Sequence, residues 1–186
     1  YVEHMLLFYS LDTNRYYGYT AGSESISEGI IKKGKLKEFE QFLNNLEINY
    51  KLEARELDGK QQIYVKFDKG EANFYSIAST GTRALALFFY WTIKLEEVSL
   101  IFMDEFDAYY HYELSSYIVK YILKQKNAQI LFTSHNTNLM NNDLFRPDCL
   151  FIMQNKGIKT MSDLTEKELR QAHNLQKMYK AGAFDE

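Results

Sequence analysis

Ser99-Leu-Ile-Phe-Met-Asp104-Glu105 is the stretch whose reading decides the fold. It is a short apolar run that stops on two adjacent carboxylates, the pattern of a strand buried on both faces of a parallel sheet. Upstream, residues 82–95 (TRALALFFYWTIKL) read as a strongly apolar helix. Downstream, residues 112–124 are helical, Ala128-Gln-Ile-Leu-Phe132 is a second buried strand and Cys149-Leu-Phe-Ile-Met153 a third, closed by a turn at Asn155-Lys-Gly157. Strands alternating with helices predict βαβ units, hence an α/β fold with a mostly parallel sheet and flanking helices. The tail, residues 163–180, reads as a polar amphipathic helix.

Residues 1–76 have a different character. Met5-Leu-Leu-Phe-Tyr9 reads as a strand, and residues 35–46 (KLKEFEQFLNNL) carry Leu36, Phe39, Phe42, Leu43 and Leu46 at helical spacing. Ile48-Asn-Tyr-Lys-Leu52 and Gln62-Ile-Tyr-Val-Lys-Phe67 alternate polar and apolar residues around Asp58-Gly59, a hairpin-type turn. These features predict antiparallel strands with one helix. The expected division is therefore 1–76, a strand and helix segment, and 77–186, the lobe built on the parallel sheet.

Composition narrows the function classes. A chain of 186 residues fits one domain or a domain with a small appendage. With 15 Tyr, 13 Phe and a single Pro, it favours regular elements over linkers. The lone cysteine, Cys149, excludes an internal disulfide and a Cys-based zinc cluster, and its apolar neighbours predict a buried position. A net charge of −3 is no electrostatic match for nucleic acid, and the basic run Ile31-Lys-Lys-Gly-Lys-Leu-Lys37 reads as a solvated helix approach. No run reaches the roughly 18 apolar residues of a membrane span, and no signal peptide opens the chain, so a cytoplasmic, non-membrane protein is expected. Tyr1 in place of an initiating Met reads as the start of a fragment.

Three segments carry chemistry. Asp104 and Glu105 stand just past a buried parallel strand, at the sheet edge where open α/β folds bind ligands. One acid there can hold Mg²⁺ through water while the next polarises an attacking water. Ile130-Leu-Phe-Thr-Ser-His135 brings a histidine to the tip of a neighbouring strand, within reach of a phosphate or that water. Ala78-Ser-Thr-Gly-Thr82 opens the apolar helix with capping hydroxyls and a glycine, a ready anion site. Each alone has an ordinary structural explanation: a solvated strand end, a structural histidine, an N-cap.

In order and spacing the three together resemble the second half of an ABC-type ATPase head. The matching parts are the signature motif, Walker B and the switch histidine. The closest likeness is to bacterial ABC-like ATPases of the overcoming-lysogenisation-defect and phage-defence branch, related to RecF- and SMC-type ATPases. That branch's Leu-Ser-x-Gly-Thr signature and Asp-Glu-x-Asp-x-x-x-His stretch are met by Ala78 to Thr82 and by Asp104-Glu-Phe-Asp-Ala-Tyr-Tyr-His111. Arg146-Pro-Asp148 and Tyr179-x-Ala-Gly182-Ala-Phe also look like the family. The likeness covers residues 76–184 well and residues 1–75 loosely. Ala78 stands where Leu is usual, and Tyr109-Tyr110 replace a smaller or aliphatic pair.

The resemblance implies ATP and Mg²⁺ as cofactors, with a P-loop NTPase fold of ABC type. Asp104 would be the magnesium ligand through water, Glu105 the general base and His135 the switch histidine on the γ-phosphate. Ser79, Gly81 and Thr82 would contact the ATP held by the opposite head of a homodimer. Asp107 and His111 would lie in the loop that meets that partner, with Asp107 counted among the nucleotide-binding residues. Phage defence or DNA processing, with nucleic acid or a separate nuclease chain as partner, is implied only by the branch.

Gly29-Ile-Ile-Lys-Lys-Gly34-Lys35-Leu36 matches Gly-x4-Gly-Lys but ends on Leu36, which cannot ligate Mg²⁺, and no buried strand precedes it. The Walker A lobe is therefore expected upstream of Tyr1 in the same protein, and the fragment alone is expected to be inactive. Two alternatives stay open: a metal-dependent nuclease using Asp104, Glu105, Asp107 and His111, and a non-catalytic dimerisation module.

Overall fold

Asp58 and Gly59 both take positive φ, 51° and 73°, as a two-residue hairpin turn requires, and they join two strands of a mixed α/β architecture. The structure is a computed structural model that describes residues 5–9, 24–93, 99–124, 128–155, 157–170 and 172–185. In chain order the elements are β1 (Met5–Tyr9), α1 (Ile26–Lys32), α2 (Leu36–Asn44), β2 (Lys51–Leu57), β3 (Lys60–Phe67), β4 (Gly70–Asn73), α3 (Phe74–Ile77), α4 (Thr80–Ile93), β5 (Leu100–Asp104), α5 (Tyr112–Ile122), β6 (Gln129–Phe132), β7 (Phe151–Gln154), β8 (Gly157–Thr160) and α6 (Leu175–Lys180). The chain divides into two compact units, Tyr1–Tyr110 with Gln125–Thr133, and His111–Lys124 with Ser134–Glu186.

The first unit holds two sheets. One is parallel, in the order β1-β5-β6, with Met5 opposite Leu100 and Ile101 opposite Ile130. The other is antiparallel, β2-β3-β4, with Leu52 opposite Val65 and Val65 opposite Ala72. β1 thus lies parallel to β5 rather than with the antiparallel strands of the first region. β5 alternates buried and half-buried residues, and β6 leaves Leu131 41% exposed, so neither strand is buried throughout on both faces. Their continuous apolar runs reflect partial cover, which period alone does not separate from full burial.

Helices α1, α2 and α4 pack together in this unit, with α1 and α2 also against the antiparallel sheet. α4 is apolar all round, and Leu85 through Trp91 are buried without a break. The heart of the packing is aromatic. Phe39 and Phe42 of α2 meet Phe89 of α4 at centroid distances of 5.1 and 5.4 Å, and Phe39 meets Phe74 edge-on at 5.6 Å. Gly29, which the sequence offered as a false phosphate loop, lies inside α1. A Cβ there would stand 2.1 Å from the Tyr90 ring, so its missing side chain lets α1 close on α4. Ser25 and Glu28 form a reciprocal capping box that starts α1.

β2 begins at Lys51, later than the alternation predicts. Glu47 adopts a positive φ of 61°, the Tyr50 N–H donates to Asn44 Oδ1 at 3.1 Å, and the Leu52 N–H donates to buried Glu40 at 2.6 Å. Side chains of α2 thus take up the amide of Tyr50 just before the strand and that of Leu52 within it. Burial pushes the Glu40 carboxyl up, but the Lys37 ammonium at 2.7 Å and the Leu52 amide outweigh it and hold the group below the usual carboxylate range.

The second unit departs most from expectation. The segment around residues 149–153 is not a third strand of the parallel sheet: β7 pairs antiparallel with β8, Met153 opposite Ile158. Only Ile152 of β7 turns to the core, while Phe151 is 57% and Met153 71% exposed. Cys149 closes a 3₁₀ turn, Pro147–Cys149, and is exposed rather than buried. The expected helix over 163–180 shrinks to α6. Leu164 and Leu169 are instead drawn against the cluster of Ile152, Met161, Leu175 and Phe184, and Asn174 caps the helix only there, accepting from the Lys177 N–H at 2.8 Å. Among the described residues no helix is long and apolar enough to cross a membrane.

Two outcomes follow from this packing. Gly29→Ala should lose about 1–3 kcal/mol in urea unfolding through overpacking against Tyr90, against the gain of at most about 1 kcal/mol that Ala brings to a helix. Glu40 has a depressed folded-state pKa, so its contribution is present above the ordinary Glu value of about 4.3 and is lost as pH falls through the folded value. Glu40→Gln should therefore be less stable than wild type at neutral pH, with the gap closing on acidification, as thermal melts across pH would record.

Candidate active site at the carboxyl edge of the parallel sheet

β5 is the middle strand of the parallel sheet, and its chain leaves the carboxyl edge through Asp104 and Glu105. Both acids are half-buried. Glu105 takes φ 44°, a left-handed conformation that costs a residue with a Cβ about 1–2 kcal/mol and persists only where neighbours hold it. The neighbour is the end of β6. The Thr133 hydroxyl donates to Asp104 Oδ1 at 2.6 Å and accepts the Glu105 N–H at 2.7 Å. The Thr133 N–H donates to the Met103 carbonyl at 2.9 Å, and the Phe106 N–H reaches back to the Thr133 carbonyl at 3.3 Å. Phe106 is buried and stands edge-on against Phe132 at 4.7 Å, which anchors the turn in the core.

The segment then winds through two tight turns, with the Ala108 N–H on the Glu105 carbonyl and the Tyr110 N–H on the Asp107 carbonyl, each at 3.0 Å. Asp107 is half-buried within it. The far end of this loop meets the start of α4. A Cβ on Gly81 would lie 3.3 Å from the Tyr109 carbonyl oxygen. The glycine predicted to admit an anion therefore admits backbone of its own chain. Gly81 thus brings the Ser-x-Gly-Thr helix start and the loop after Glu105 into contact within the first unit.

The other predicted residues are placed as follows. Ser79 is exposed and caps α4, its Oγ accepting the Thr82 N–H at 3.1 Å and sharing a hydrogen bond with Thr82 Oγ1 at 2.9 Å. Thr82 is buried, its hydroxyl turned to Ser79. His135 belongs to the second unit, is exposed, and follows Thr133 and Ser134 out of β6. His111 also belongs to the second unit, where it is the exposed N-cap of α5 and makes no side-chain cap bond. The residue that sequence reasoning missed is Thr133. It stood in the quoted Thr-Ser-His run, and a hydroxyl one step past a buried strand beside an acid pair was the available signal.

Asp104 suits Mg²⁺ held through water. It is a strand-end carboxylate with a hydroxyl donor as its outer-shell partner, the kind of lone acid that Mg²⁺ takes alongside waters and phosphates. Among the described residues no group of three or more His, Cys, Asp or Glu side chains is placed to hold a metal ion by themselves.

A family model described as "AAA domain, putative AbiEii toxin, Type IV TA system" matches residues 10–141, well over half of the chain. The match begins upstream of the antiparallel sheet and ends before β7. No curated protein matches the chain.

Close packing at Gly81 makes a measurable demand. Gly81→Leu should cost about 1–3 kcal/mol in denaturant unfolding, because the carbonyl it meets is backbone and yields less readily than a side chain. Amide exchange in residues 105–110 should rise with it.

Proposed function

This chain belongs to the AAA-domain family so described, and from that membership we propose that it is the signature, Walker B and switch-histidine part of an ABC-type ATPase head that binds and hydrolyses ATP, closing around the nucleotide with a second copy. The observation that carries the proposal is the acid pair at the carboxyl end of the middle parallel strand, held by a hydroxyl from the next strand. A family match alone would leave the acids on any strand end. Their position at the edge where open sheets bind ligands gives them a task.

In this proposal Asp104 holds Mg²⁺ through water, and the ion, when bound, neutralises charge on the phosphates. Glu105 accepts a proton from the attacking water as the water oxygen bonds to the γ-phosphorus and the bridging oxygen departs with ADP. His135 hydrogen-bonds the γ-phosphate. Ser79, Gly81 and Thr82 open α4 toward the ATP of the opposite head, whose charge the helix N-terminus favours. Asp107 and His111 belong to the surface that meets that head. Gly29 lies inside a helix and supplies no phosphate loop, and in this proposal a separate Walker A lobe grips the nucleotide. The family description, with its "putative AbiEii toxin, Type IV TA system", lends support to a defence role; a DNA-processing role and a cytoplasmic place belong to the proposal alone.

In the complete protein, Glu105→Gln should lower ADP release by about 10²–10⁴-fold, the usual contribution of a positioned general base. Turnover at the wild-type rate would overturn the assignment of the base. Failure of the complete protein to bind nucleotide would return the non-catalytic module. Metal-dependent nucleic-acid cleavage without ATP, abolished by Asp104→Ala, would return the nuclease.

A further inference from the structure

Thr133 is the first residue past the end of β6, and Val has the same shape. What distinguishes Thr is the hydroxyl, and both of its hydrogen-bonding capacities are used: it donates to Asp104 Oδ1 at 2.6 Å and accepts from the Glu105 N–H at 2.7 Å. The two partners are the side chain of one acid and the backbone of the next. One atom therefore sets the rotation of the Asp104 carboxylate and the left-handed turn, φ 44°, that directs the chain at Glu105. The backbone of Thr133 grips the same turn from either side, through Met103 and Phe106. With the backbone bonds already fixing where β6 meets the turn, the hydroxyl is left to govern the acids.

We propose that Thr133 is a positioning residue of the hydrolytic site: its hydroxyl orients the Asp104 carboxylate for the metal's water shell and holds Glu105 in the conformation from which it meets the attacking water. This inference rests on the ATPase reading above. Outer-shell partners of this kind usually matter by about 10–100-fold in activity, because the residue they hold reacts only in a narrow range of geometry.

The test compares wild type, Thr133→Val and Thr133→Ser in the complete protein, by steady-state ATP hydrolysis and by hydrogen exchange at the Glu105 amide. Thermal unfolding of each variant verifies the fold, and Thr133→Ala replaces the valine variant should that one fail to fold. Thr133→Val should lower kcat by about 10–100-fold with KM for ATP changed less than about twofold. Thr133→Ser should recover most of the loss. The Glu105 amide should exchange roughly tenfold faster in the valine variant and not in the serine one. An active wild type with an equally active Thr133→Val overturns the inference and leaves the ATPase reading intact. An inactive wild type overturns the ATPase reading. Exchange then decides the geometry: a Glu105 amide as protected in Thr133→Val as in wild type overturns the positioning role, and an accelerated one upholds it.

Discussion

Two carboxylates stand in succession at the end of β5, and the backbone at the second is bent into a conformation that residues with a side chain avoid. The turn exists because the neighbouring strand ends on a threonine. Its hydroxyl donates to Asp104 and accepts the amide of Glu105, while its carbonyl takes the amide of Phe106. The buried Phe106 ring, edge-on to Phe132, converts these surface bonds into a feature of the core. Everything proposed for the acids depends on that small arrangement, since without it the loop from Glu105 to Tyr110 has no defined departure from the sheet.

The loop is held a second time at its far end. Gly81 stands against the Tyr109 carbonyl, so the start of α4 and the end of the loop are neighbours. α4 is itself immobilised by burial on all sides, with Phe88 and Phe89 against the aromatic rings of α2 and Tyr90 against the bare backbone of Gly29. Core interiors transmit small displacements because they are packed to the density of crystals.

Much of this was legible beforehand because it rests on local chemistry. The Asp58-Gly59 hairpin, α2, α4, and the strands ending at Asp104 and Phe132 all follow from turn residues, apolar period and run length. The Ser25-x-x-Glu28 capping box that starts α1 is equally local but went unread, and it makes the Gly29 stretch a helix instead of a phosphate loop. The segments that misled were those where distant contacts choose. Residues 149–153 read as a buried strand by composition, yet Phe151–Gln154 pair with the strand immediately following and Phe151, Met153 and Cys149 are left exposed. Residues 163–173 have helical amphipathicity, yet Leu164 and Leu169 are drawn into a cluster around Met161 and break the period.

The sequence by itself determined the Asp58-Gly59 hairpin, α2, α4, the strands ending at Asp104 and Phe132, and the acid pair with its flanking motifs, because turn geometry and hydrophobic period act over a few residues. Only the tertiary structure decided which strands are neighbours, that β1 lies parallel beside β5, and that Thr133 lands on Asp104 and Glu105. Register between strands far apart in sequence is set by the packing of whole elements, and a hydroxyl acquires its partners only after that register is chosen.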